Sequence, residues 1–231
     1  EYAAYLKNCH AENETTLQEV IALLKSHRLD ITVFSEVHND QLNHCDLVVV
    51  IGGDGTLFMA AKKLRATPVV LVNSDRQGSV AKYSSMDRLN LPQKLLPILS
   101  GEEDPTLLPR LALVMDGCKH PDPILNDALV VSEHPASIAK YAIAADGICE
   151  TQKSSGVWVA TASGSTGGIY SAGGAVMDLG LKNLQYLVRE PLKKKSYRLQ
   201  HGFVAPAAHS FVLESKMLDG MIYLDGEPKG L

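Results

Sequence analysis

The sequence has no excess of positive charge: 22 Lys and Arg stand against 26 Asp and Glu, a net charge of −4 over 231 residues. A chain built mainly to coat nucleic acid or an anionic membrane surface needs the opposite balance, so neither partner is expected. No apolar run approaches the length of a membrane span, and membrane insertion is not expected either. Cysteine is scarce. Cys9, Cys45, Cys118 and Cys149 lie far apart, fit no zinc spacing, and read as free thiols of a reducing compartment. The histidines show no HxxxH pairing and there is no dense carboxylate cluster, so no residue is assigned as a metal ligand. The chain opens Glu-Tyr-Ala without an initiator Met, as expected of a piece of a longer protein. The lack of a targeting segment therefore carries no information, and cytoplasm, mitochondrion and peroxisome stay open within an expected intracellular location.

What is present begins with Val48 to Leu64, VVVIGGDGTLFMAAKKL. An apolar β-branched run stops at Gly52, Gly53, Asp54, Gly55 and Thr56, and a helix-like segment follows. Glycines let a backbone turn sharply and approach a ligand closely. A helix that starts there offers unpaired N–H groups and partial positive charge, which suit phosphate. An acid in the middle of such a cradle is unfavourable for binding phosphate alone. Its expected work is to take a proton from a hydroxyl or to hold a metal. A plain Gly-rich strand-to-helix connection is the alternative.

The rest of the first half reads as alternating helix and strand. Leu17, Val20, Ile21 and Leu24 have helical spacing, with Thr15 or Thr16 as the expected cap. Ile31 to Phe34 reads as a short strand, while Leu47–Ile51 and Pro68–Val72 read as strands buried on both faces. Asp87 to Leu99 is a weaker helix containing Pro92 and Pro97. Beyond Gly101-Glu-Glu-Asp-Pro105 the texture changes to short β-rich segments: 111–115, 125–131, 138–144, 148–151 and 157–161. Asp116-Gly117, Asp146-Gly147 and Asp225-Gly226 mark hairpin turns. The fold class is therefore α/β + β. An N-terminal Rossmann-like doubly wound α/β domain, residues 1–104, carries GGDGT, and a C-terminal β-sandwich domain, residues 105–231, follows it. One helix, beginning near Thr166, is expected within the second domain. Lys193-Lys194-Lys195 reads as a solvated loop.

Two further motifs fall in the second domain. Asn126-Asp127 offers an amide beside a carboxylate, a pair suited to ribose hydroxyls, though Asn-Asp is also common turn chemistry. Thr161-Ala-Ser-Gly-Ser-Thr-Gly-Gly168, followed by Ser171-Ala-Gly-Gly174, is a Gly/Ser-rich turn whose N–H groups and hydroxyls suit phosphate or ribose. The three motifs in this order resemble the NAD kinase family, in particular the branch that includes plant NADH kinase and animal mitochondrial NAD kinase. Gln185-Tyr-Leu-Val-Arg-Glu-Pro191 and Lys153-Ser-Ser-Gly156 add to the likeness, which covers roughly residues 15 to 226.

The resemblance implies a dinucleotide bound between the two domains and transfer of the ATP γ-phosphoryl group to the 2′-hydroxyl of its adenosine ribose. It makes Asp54 the general base and has Gly52, Gly53, Gly55 and Thr56 shape the phosphate cradle. Asn126 and Asp127 hold ribose and adenine. Thr166, Gly167 and Ser171 contact the nicotinamide half or a neighbouring subunit's ligand, and Lys153 and Ser155 are further ligand contacts. Mg²⁺ arrives with ATP, and a homodimer or larger assembly is implied. Gly168 stands where this family's motif usually carries an aromatic residue, and Ser155 where it carries an Asp. A hydroxyl in place of that carboxylate predicts that NADH is used at least as well as NAD. Two other readings share parts of the pattern: a lipid kinase of the diacylglycerol or sphingosine type, and a non-catalytic dinucleotide sensor.

Overall fold

The computed structural model describes residues 2–34, 40–76, 78–79, 81–206 and 211–230. The chain divides into two compact units, Glu1–Pro105 and Thr106–Leu231.

The first unit starts with one long helix, α1 (Tyr2–Ser26), well ahead of the amphipathic stretch the sequence marks. Thr15 and Thr16 therefore sit inside the helix and cap nothing. Their hydroxyls donate instead to the carbonyls one turn back, Ala11 O at 2.8 Å and Glu12 O at 2.7 Å, the usual outlet for a mid-helix threonine. The strands β1 (Val48–Gly52) and β2 (Val69–Asn73) run parallel and in register from Val48↔Val69 to Gly52↔Asn73. Helix α2 (Asp54–Lys63) joins them, and the two-residue strand β3 (Met86–Asp87) adds in parallel to β2. Residues 31–34, expected as a strand, pair with neither; Phe34 only packs its ring against the core around Leu42, Val50 and Leu57. Strand-like composition is not enough without ladder bonds to a neighbour, and these four residues make none.

Helix α3 (Leu91–Leu99) starts later than the sequence suggests, with Pro92 in its first turn, where the missing N–H costs no hydrogen bond. Its Leu91 and Leu95 join Val20, Val72 and Met86 in one face of the core. Helices thus cover the parallel sheet on the α1/α3 side and on the α2 side, and the carboxyl ends of β1 and β2 meet the Gly-rich turn. No helix among the described residues is long and apolar enough to cross a membrane.

The second unit is built on antiparallel strands: β4 (Val114–Met115), β5 (Cys118–Lys119), β6 (Asp127–Ser132), β7 (Ala139–Ala145), β8 (Ile148–Ser154), β9 (Gly156–Ala160), β10 (Leu184–Arg189), β11 (His201–Val204), β12 (Val212–Ser215), β13 (Gly220–Leu224) and β14 (Glu227–Gly230). Six form one sheet in the order β11-β10-β9-β6-β13-β14, and β12-β7-β8 form another. Alternation decides what is buried. Tyr141 and Ile143 from the smaller sheet and Val157, Val159, Tyr186 and Val188 from the larger one share a single core. Between β9 and β10 the expected helix shrinks to a 3-10 turn at Ser163–Thr166 and one helical turn, α4 (Gly168–Ser171). Gly167 and Gly168 open that turn and Gly173, at φ +100°, follows it, too much glycine for a helix to propagate.

Leu95 is fully buried in the first unit. Leu95→Ala is expected to lower stability by about 2–5 kcal/mol, measured by urea unfolding followed with far-UV circular dichroism. A loss under about 1 kcal/mol would show that this part of the core closes around the deletion.

Candidate active site

The first constellation forms where β1 becomes α2. Gly52 has φ +150°, and a Cβ there would lie 2.6 Å from Thr56 Oγ1, so a side chain is strained and crowded at once. A Cβ on Gly53 would come equally close to Ser79 Oγ, whereas Gly55 faces open space. Thr56 N and Leu57 N close the first helical bonds onto Gly53 O at 3.1 and 3.2 Å. Helix α2 begins with Asp54, preceded by extended Gly53, and no side chain caps it. Ahead of those bonds, the N–H groups of Asp54 and Gly55 have no intrahelical acceptor and lie at the positive end of the helix dipole, at the strand's carboxyl end.

Asp54 does not spend its carboxylate on those amides. Oδ2 accepts the backbone N–H of Lys82 at 3.0 Å and Oδ1 that of Tyr83 at 3.3 Å. The acid is thereby fixed in orientation by the chain that follows β2. No group of three or more His, Cys, Asp or Glu among the described residues is arranged to hold a metal ion. A separate cavity of about 420 Å³, lined by Tyr5, Cys9, Glu12, Asn73, Asp75 and Arg88 among others, opens at the carboxyl end of β2 and does not include Gly52–Thr56.

The second constellation is organised by a residue that the sequence marks only as a turn former. Asp225 sits in the β13–β14 hairpin at φ +49°. Its carboxylate accepts three successive backbone N–H groups, from Leu125 at 3.0 Å, Asn126 at 2.7 Å and Asp127 at 3.2 Å. That grip sets the Asn126–Asp127 pair at the head of β6. Asn126 Nδ2 donates to Asp127 Oδ2 at 3.3 Å. Thr161, at the end of β9, donates its hydroxyl to Leu125 O at 2.6 Å and its N–H to Asn126 O at 3.0 Å.

Glycines then bring the Gly/Ser turn onto this pair. A Cβ on Gly164 would lie only 2.0 Å from Asn126 O; one on Gly167 would lie 3.2 Å from Asn126 Nδ2 and 3.5 Å from Asp127 Oδ2. Thr166 is half-buried beside them, and Ser171 lies exposed one helical turn on. The segment after α4 is pinned by Gln185, which accepts Ala175 N–H at 2.8 Å and donates to Ala175 O at 2.7 Å.

Asn126, Asp127, Thr166 and Gly167 are thus gathered in one place. Lys153 and Ser155 are not. They flank the start of β9, whose far end, Ala160, pairs with Asp127. Along a five-residue strand that separation is roughly 13 Å. Lys153 is exposed, and its carbonyl accepts Leu192 N–H at 3.1 Å; Ser155 N donates to Arg189 O at 3.0 Å. Asp225, Thr161 and Gln185 are the site's supports that sequence reasoning missed. Asp225 and Thr161 act across 100 and 36 residues of sequence and Gln185 across 10, and no local pattern encodes these bonds.

Burial, and secondarily the neighbouring Asp225 charge, push the Asp127 carboxyl up to about 7. The folded state then holds this proton more tightly than the unfolded chain, whose Asp titrates near 4. Stability from this group is complete below about pH 4 and is lost as pH rises to about 7. Asp127→Asn is therefore expected to match the parent's thermal stability at about pH 4 and exceed it at about pH 8. A difference that does not change with pH would contradict this account of Asp127.

Known proteins resemble this chain in sequence and in fold. No protein-family model matches the sequence. A probable NADH kinase of rice, Oryza sativa subsp. japonica, is 33% identical across 90% of this chain and 73% of its own length. An NAD kinase of Neisseria meningitidis is 29% identical across 80% of this chain and 62% of its own. Among solved structures, an NAD kinase from Archaeoglobus fulgidus in complex with ATP superposes with a TM-score of 0.76 at 24% identity, covering 93% of this chain and 81% of that one. Yeast NADH kinase complexed with NADH gives a TM-score of 0.68 at 20% identity, over 81% of this chain and 55% of that one. The overall fold is thus a mixed α/β arrangement of the NAD kinase type, and the chain belongs to the NAD(H) kinase family.

Proposed function

We propose that this chain phosphorylates NAD or NADH with ATP, making NADP or NADPH. The observation that carries the reading is Asp54: an acid at the first position of a helix, behind two glycines, with both carboxylate oxygens held by backbone N–H groups. Phosphoryl transfer asks little covalent work of a protein. It asks for positioning, charge compensation and a group to take the hydroxyl proton.

The proposed division of labour follows. Gly52, Gly53, Gly55 and Thr56 shape a cradle for ATP phosphates at the start of α2. Asn126 and Asp127, with Thr166, Gly167 and Ser171, grip the dinucleotide. The ribose 2′-oxygen attacks the γ-phosphorus; the new O–P bond forms as the bond from that phosphorus to the β,γ-bridging oxygen breaks. ADP leaves, and the hydroxyl proton passes to Asp54. Mg²⁺ enters as part of the ATP substrate and compensates phosphate charge. A lone carboxylate in the turn fits an ion carried mostly by phosphates and water, as Mg²⁺ usually is.

The first unit is read as the Rossmann-like half and the second as a β-sandwich that binds the dinucleotide. A homodimer or larger assembly is part of this reading, with Thr166, Gly167 and Ser171 touching the nicotinamide half or a neighbouring subunit's ligand and Lys153 and Ser155 as further ligand contacts. Four free cysteines support a location inside the cell. Neither a lipid kinase nor a non-catalytic sensor is supported by the relatives.

The test is turnover by purified full-length protein with MgATP and, separately, NAD, NADH and sphingosine. Formation of NADP or NADPH is expected. Phosphorylation of the lipid alcohol with neither dinucleotide used would overturn the reading.

A further inference from the structure

The chain has a single tryptophan, Trp158, in the middle of β9. Its neighbours Val157 and Val159 point into the core shared by the two sheets, so Trp158 stands on the other face. There it lies across from Leu129 of β6 and Leu187 of β10, and it is only half-buried. Asp127 shares that face, paired with Ala160 two residues along the strand, a step of roughly 7 Å.

Two consecutive glycines tie the indole to the polar pair. A Cβ on Gly167 would touch Asn126 Nδ2 and Asp127 Oδ2. A Cβ on Gly168 would lie 2.7 and 2.8 Å from Cζ2 and Cη2 of Trp158, closer than carbons can approach. The benzene ring of the indole therefore lies directly against the backbone of residue 168, in space any side chain there would occupy. An aromatic residue that is only half-buried thus shares one face of the sheet and one turn with an amide and a carboxylate suited to ribose. Tryptophan in such a place offers stacking area at low entropic cost.

We propose that Trp158 is a specificity-determining residue of this site, its indole being the surface on which a heteroaromatic ring of the dinucleotide packs. This rests on the NAD(H) kinase reading. Stacking of a base on an aromatic side chain commonly changes affinity by about 10-fold or more when the ring is removed. Trp158→Leu keeps an apolar side chain without the ring, and Trp158→Phe keeps a ring. Trp158→Leu is expected to raise the dinucleotide KM about 10-fold while leaving kcat and the ATP KM near the parent's, and Trp158→Phe to recover most of the loss.

A second measurement does not depend on the variants folding. Within this chain all tryptophan emission comes from Trp158, and NAD does not absorb at those wavelengths, so quenching of that emission by NAD reports contact. Quenching should saturate in step with the dinucleotide dependence of turnover. ADP-ribose and nicotinamide mononucleotide, titrated separately, tell which ring makes the contact. An active parent with no quenching by NAD, or a folded Trp158→Leu enzyme whose dinucleotide KM moves less than twofold, would overturn the proposal. A parent that turns over neither dinucleotide would instead overturn the reading beneath it.

Discussion

A carboxylate that accepts backbone N–H groups from a distant stretch of chain is the interaction on which both functional constellations depend. Asp225 takes three successive amides about a hundred residues upstream, and Asp54 takes two from the stretch after β2. Charge-assisted bonds of this kind are shorter and stronger than neutral ones. Each also supplies an acceptor to backbone amides where a strand begins or a loop passes. The two acids differ in what else they can do. Asp225 is wholly engaged in presenting Asn126 and Asp127. Asp54 stands at an open helix start, and its orientation is set before any substrate arrives.

Close backbone approach is the second requirement, and it explains where glycine is placed. Gly164 lets the Gly/Ser turn rest on the carbonyl of Asn126, and Gly168 lets the same turn rest on the indole of Trp158. Shape and chemistry are coupled there. The polar pair and the aromatic surface become neighbours only because consecutive residues of one turn carry no side chains. The cost is a helix reduced to four residues, α4, where small-residue composition suggests something longer.

Local signals were the legible ones. Unbroken β-branched runs mark the strands β1 and β2, although their burial is only partial and Val69 stays exposed, and the three Asp-Gly turns carry the left-handed backbone such pairs favour, at Asp116, Asp146 and Asp225. Asn126–Asp127 and the Gly/Ser turn stand out as motifs, and the chain gathers them in one place. What failed depended on partners out of sequence view. Ile31–Phe34 has strand composition but forms no ladder with the β1-β2-β3 sheet, and α1 extends through a polar stretch that periodicity does not mark. Thr15 and Thr16 resemble caps until the helix runs past them. Asp225 was visible as a turn residue, yet nothing near it in sequence says that its side chain reaches Leu125. Trp158 reads as one more β-former until Gly168 is placed against it.

The measurement that bears most directly on the central claim is Asp54→Asn, followed by turnover and by dinucleotide binding. Asparagine nearly matches the size and keeps one acceptor oxygen for the Lys82 and Tyr83 amides, but it cannot take a proton from the ribose hydroxyl. Folded, dinucleotide-binding protein with turnover reduced by about 10²–10⁴-fold is the outcome a general base requires. Activity within a few-fold of the parent would make Asp54 a structural anchor and remove the proposed mechanism.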